Sequence, residues 1–184
     1  MGDRLLKSVV LVGMMGAGKT AVGKSVAVKL GVPFLDSDEQ IEIAANMTIA
    51  EIFERDGEEF FREKETQVIN RLLLEESCIL STGGGAFLAQ RNRVIIREHG
   101  VSVWLRADLD LLWNRVRHKT TRPLLKTSDP FKTLSEIYEA RVPLYGRADI
   151  IVDANPNFSI EEMAETVIKA LHARPDVLEI NRNA

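Results

Sequence analysis

Eight residues constrain this 184-residue chain more than any others: Gly13-Met14-Met15-Gly16-Ala17-Gly18-Lys19-Thr20. They match G-x-x-x-x-G-K-[ST], a pattern that works only between a strand and a helix. Both flanks are present. Lys7 to Val12 is a short β-branched run, and Gly18 to Leu30 carries apolar residues at helical spacing before Gly31. The glycines let backbone N–H groups turn inward around phosphate oxygens, and the following helix points its positive end at the same anion. Lys19 then reaches the outer phosphates, and the Thr20 hydroxyl is a ligand for Mg²⁺.

The rest of the chain alternates in the same way. Strands are expected at Val32 to Leu35, Cys78 to Ser81, Val101 to Leu105 and Asp149 to Val152. Helices are expected at Glu39 to Ala45, from Thr48 onward with a break at Asp56-Gly57, and over Glu58 to Leu74, Phe87 to His99, Asp108 to Arg117, Phe131 to Tyr145 and Ser159 to Ala173. Thr48 and Glu51 have capping-box spacing. Five short apolar strands between helices imply an α/β fold, a parallel sheet covered on both faces in three α/β/α layers. The length fits a single domain over 1–184, and no linker marks a second. Pro175 to Ala184 reads as a tail.

Composition narrows the function. The net charge of −3 gives no bulk positive field to collect nucleic acid or an anionic membrane surface. No apolar run is long enough to span a bilayer. The single cysteine, Cys78, fits a reducing compartment, so a cytoplasmic protein is expected. There is no Asn-Lys-x-Asp for guanine recognition, which leaves a small kinase as the leading class.

Ligands of open α/β sheets bind beyond the carboxyl ends of the strands. Asp36 and Asp38 follow the second strand, two apart, and point the same way if the segment is extended. One can serve the metal shell and the other a hydroxyl acceptor. The plainer alternative is a helix cap, with Ser37 or Asp38 as the capping residue. Arg62 has Glu65 three residues on, which either holds it for a ligand or forms an ordinary surface pair. Gly83-Gly84-Gly85 after the third strand either admits a ligand to the backbone or is a plain loop. The segment from Arg106 to Arg147 holds nine Arg or Lys against five Asp or Glu. A basic lid over a polyphosphate at about 117–130, with Arg117 and Arg122 as its cations, is weighed against a solvated loop. Arg141 either turns inward or is a helix-end cation. Ile150-Ile151-Val152-Asp153 is a second strand-then-acid element, but Asp36 is the preferred magnesium-side carboxylate.

Taken together, GMMGAGKT (13–20), FLDSD (34–38), IAEIFERDGEEFFREKE (49–65), STGGGA (81–86), RPLL (122–125) and RVPLY (141–145) resemble the shikimate kinase family, in that family's order. The resemblance implies a nucleoside-monophosphate-kinase-like fold with five parallel strands in order 2-3-1-4-5, usually a monomer. It implies transfer of the ATP γ-phosphoryl to the 3-hydroxyl of shikimate, on the way to chorismate and the aromatic amino acids. By the same resemblance Gly16, Ala17, Gly18, Lys19, Thr20 and Ala21 bind ATP, and Thr20 and Asp36 serve Mg²⁺. Lys19, Asp38 and Arg122 are the catalytic set. Asp38, Arg62, Gly84 and Arg141 hold shikimate in a region that includes 36–65, with Gly83 and Gly85 beside them. Phe53 and Phe61 wall that pocket, and Arg117 is a further nucleotide-side arginine. The rivals are a gluconate-kinase-like sugar-acid kinase and a nucleotide-binding switch without turnover.

Overall fold

The computed structural model describes residues 2–119 and 123–181. Its centre is a five-stranded parallel sheet of β2 (Ser8–Val12), β3 (Phe34–Asp36), β4 (Ile79–Ser81), β5 (Gly100–Arg106) and β6 (Ile150–Asp153). The spatial order is β3-β4-β2-β5-β6. Numbering those five strands along the chain gives the expected 2-3-1-4-5. In β2, Val9, Val10, Leu11 and Val12 are fully buried, because a central parallel strand is covered on both faces.

The helices are α1 (Lys19–Leu30), α2 (Ser37–Ala45), α3 (Ile49–Leu74), α4 (Gln90–His99), α5 (Leu109–Val116), α6 (Pro130–Tyr145) and α7 (Ile160–Leu171). Thr48 and Glu51 form the capping box that opens α3. Gly57, at φ 84° and ψ 173°, interrupts α3 where Asp56-Gly57 is expected to break it. That kink lets one segment serve two purposes. Ile52 faces the interior from its first part, and Phe61, Val68, Ile69, Leu72 and Leu73 pack on the core from its second.

The stretch expected to be a tail is instead tied into the fold. β1 (Arg4–Leu5) pairs antiparallel with β7 (Leu178–Glu179), and Val177 and Leu178 are fully buried. Asp3 accepts a hydrogen bond from His172 at 2.7 Å, and Lys7 pairs with Asp176 at 3.2 Å. A two-residue strand carries too little pattern to be read locally, since its partner lies at the other end of the chain.

Among the described residues, no helix is long and apolar enough to cross a membrane.

Candidate active site

All five sheet strands end on one side of the molecule, and β2 stands between β4 and β5, where the chain reverses its direction of winding. The Gly13–Thr20 loop leaves β2 at this point. Gly18, with φ 95°, is the N-cap of α1 and offers no side-chain cap, and no acidic residue occupies the first turn. That turn can therefore receive an external anion. Gly16 has φ 82°, and a Cβ there would lie 2.7 Å from Val116 Cγ1. Only glycine permits both that backbone and that contact with α5. Lys19 Nζ donates to the carbonyls of Gly13 (2.7 Å) and Met14 (3.0 Å), so its ammonium is drawn across the mouth of the loop.

A cleft of about 640 Å³ opens above the loop, and Gly16, Ala17, Gly18, Lys19, Thr20 and Ala21 all line it. Asp36, Asp38, Gly83 and Gly84 line its other part. Asp36 Oδ1 accepts from the N–H groups of Asp38 (2.9 Å) and Glu39 (3.2 Å), so Asp36 itself caps α2. The cap falls one residue earlier than the Ser37 or Asp38 alternative. Capping and cleft are compatible, because a carboxylate has two oxygens.

Each glycine of the 83–85 run meets one charged side chain. A Cβ on Gly83 would lie 2.8 Å from Asp38 Oδ1, one on Gly84 2.6 Å from Arg141 Nη1, and one on Gly85 2.6 Å from Arg62 Nη2. Three residues far apart in sequence thus converge on one glycine ribbon, and any larger residue would push them away. Glu65, buried to 1% exposure, accepts from Arg62 Nη1 at 2.9 Å. Phe53 and Phe61 stack with centroids 4.8 Å apart, and the Arg62 guanidinium lies 5.1 Å over the Phe61 ring. The ribbon is braced from behind. Asn92 donates to the Ala86 carbonyl at 2.9 Å and Tyr145 to that of Gly84 at 2.6 Å.

Burial pushes the Asp38 carboxyl up to about 6, reinforced by the charges of Asp36 and Glu65 and opposed by Lys19 and Arg62. Burial also raises Glu65, and Arg62 works against it. A carboxyl near 6 is largely ionised at neutral pH yet basic enough to take a proton.

One expectation meets a different geometry. Arg117, read as a nucleotide-side arginine, is exposed at the end of α5 and donates to His118 at 3.1 Å. Arg115 lines the cleft instead, its Nη1 donating to the Gly16 carbonyl at 3.0 Å. Two residues along a helix is about 200° of rotation, so the two arginines cannot share a face. The signal lay in the packing of α5. Gly16 abuts Val116, and Arg115 is among its next-nearest contacts. Arg122 lies outside the described residues. Sequence reasoning also passed over Lys119, Phe158, Ile160 and Met163, which line the cleft. Asp153 is ion-paired with Arg106 (2.9 Å) and is not among the cleft residues.

A glycine-rich loop at a helix N-terminus, sharing its cleft with a glycine ribbon on which two arginines and an acid converge, is the design of a P-loop kinase acting on a small acceptor. The comparisons refine that class. The family model described as Shikimate kinase matches residues 15–172. A shikimate kinase of Ruegeria pomeroyi is 66% identical over 177 residues, covering 96% of this chain and 91% of that protein. One from Cereibacter sphaeroides is 65% identical over 96% of this chain and 88% of its own. Among solved structures, the shikimate kinase from Acinetobacter baumannii in complex with shikimate is 37% identical with a TM-score of 0.85, covering 91% of this chain and 94% of that one. The chain belongs to the shikimate kinase family.

Proposed function

We propose that the cleft holds ATP and shikimate end to end and transfers the γ-phosphoryl to the 3-hydroxyl, giving shikimate 3-phosphate and ADP. The observation that carries this reading is the convergence of Asp38, Arg62 and Arg141 on Gly83, Gly84 and Gly85. Two guanidiniums can grip a carboxylate bidentately, and an acid between them and the phosphate loop can hold a ring hydroxyl.

In this reading the N–H groups of Gly16 to Ala21 cradle the triphosphate, and Arg115, Phe158 and Ile160 flank the nucleoside. Arg62 and Arg141 fix the shikimate carboxylate, with Phe53 and Phe61 as the apolar wall. Asp38 accepts the hydrogen bond of the 3-hydroxyl and takes its proton as that oxygen bonds to the γ-phosphorus. The bond from phosphorus to the bridging oxygen breaks, and its electron pair leaves on ADP. Lys19 stabilises the charge spread over the transferring oxygens, and the family resemblance gives Arg122 a share in that role. Such a transfer needs mostly positioning and charge stabilisation.

Thr20 and Asp36 fit a nucleotide-borne Mg²⁺. Both line the cleft, Asp36 has one oxygen outside its capping role, and Mg²⁺ prefers one or two protein oxygens plus phosphates and water. When bound, Mg²⁺ would neutralise phosphate charge, with Thr20 and Asp36 as the residues that hold it.

We also place the chain in the cytoplasm as a monomer. A lone, buried Cys78 supports the compartment, and the family resemblance supports the monomer.

ADP release measured with a panel of shikimate, gluconate and nucleoside monophosphates tests the reading. Turnover with shikimate alone is expected. Turnover with gluconate alone overturns the choice of acceptor, and no turnover with any acceptor favours the switch.

A further inference from the structure

Tyr145 is the largest fully buried side chain among the described residues, yet it carries a polar oxygen and sits at the end of α6, beside the site. Its ring packs against Trp104 with centroids 5.9 Å apart. Its hydroxyl donates to the Gly84 carbonyl at 2.6 Å. Arg141 lies four residues earlier, on the same face of α6, and its guanidinium charge acts on the same phenol. A Cβ built on Gly84 would touch both groups, 2.6 Å from Arg141 Nη1 and 3.6 Å from the Tyr145 oxygen. The phenol is thus a donor to the glycine ribbon and the polar neighbour of the arginine that faces it.

We infer that Tyr145 is a positioning residue for the acid substrate, a strut that sets the distance between Arg141 and the Gly84 backbone. Neither contact can be replaced cheaply. A phenylalanine keeps the ring and its packing on Trp104 but leaves the Gly84 carbonyl without its buried donor and takes away the polar oxygen beside the Arg141 guanidinium. The arginine then turns away from the direction in which it meets a carboxylate. The nucleotide half of the cleft is built from other elements, so ATP should not sense the change. The inference rests on the assignment of Arg141 and Gly84 to shikimate.

The test is Tyr145→Phe, with initial rates measured while shikimate and ATP are varied in turn, and shikimate binding followed separately by calorimetry. Shikimate KM and Kd should rise roughly tenfold, the cost of orphaning a buried hydrogen-bond partner. ATP KM should stay within twofold, and kcat should fall much less than shikimate KM rises. Adding Arg141→Lys should be less than additive, because the strut acts through that arginine. Equal changes in both KM values, an unchanged shikimate KM, or full additivity with Arg141→Lys overturns the inference. Should Tyr145→Phe unfold, Tyr145→His, which retains a ring and a polar edge, supplies the same comparison. Failure of the unaltered enzyme to phosphorylate shikimate would instead overturn the underlying assignment, and the two failures are read from different proteins.

Discussion

Asp38 should make the protein less stable than it could be, and the cost can be measured. Its carboxyl is raised from 3.8 to about 6, mainly by burial, with Asp36 and Glu65 adding to the effect. A displacement of that size corresponds to about 3 kcal/mol of unfavourable free energy for carrying the charge in the folded state. Between 3.8 and about 6 the folded chain binds more protons at this position than the unfolded chain. Stability from Asp38 is therefore fully present below 3.8, is lost as pH rises through about 6, and is absent above. Asp38→Asn removes the titrating group. The variant's stability relative to the unaltered protein should rise by about 2 kcal/mol between pH 4.5 and 7.5 and then level off. Urea unfolding of both proteins at four pH values across this range measures it, and taking the difference cancels carboxylates common to both. The same variant should lose about a hundredfold or more in kcat at pH 7.5 with ATP binding intact. A stability difference that does not change with pH, or that falls as pH rises, refutes the burial argument; an unchanged kcat removes Asp38 from the acceptor.

Other perturbations separate the two halves of the cleft. Lys19→Ala should abolish transfer while unfolding stays cooperative, and a near-normal kcat excludes the phosphate role given to Lys19. Arg62→Ala should weaken shikimate far more than ATP, by about 2–5 kcal/mol in the shikimate kcat/KM. It should also destabilise the fold, because Glu65 is left buried without its partner; equal effects on both substrates would place Arg62 elsewhere. Gly84→Ala puts a Cβ 2.6 Å from Arg141 Nη1, so shikimate KM should rise while ATP KM holds. A normal shikimate KM would mean that the arginine does not need that space.

Local signals carried much of this architecture. The β-branched run before Gly13, the Thr48–Glu51 spacing and the Asp56-Gly57 break are written in neighbouring residues, and each recurs in the fold as read. Strand order is not local, and came from the family resemblance. What escaped the sequence depends on distant packing. Arg115 and Arg117 are two basic residues on one helix, and only the seating of α5 against Gly16 decides which of them reaches the cleft. The β1–β7 pair joins the two ends of the chain and has no period to detect. Asp36 caps α2 because β3 runs one residue further than expected and α2 begins at once. The 83–85 glycines were legible as a ribbon open to a ligand. That each one makes room for a different charged side chain could be seen only once the helices were in place.

A crystal structure of the protein with shikimate and ADP bound tests the central claim most directly. The account predicts the ring acid against Gly83–Gly85, its carboxylate between Arg62 and Arg141, its 3-hydroxyl on Asp38 and directed at the terminal phosphate above Lys19. Shikimate found anywhere outside that space, or a nucleotide lying away from Gly16 to Ala21, would contradict it.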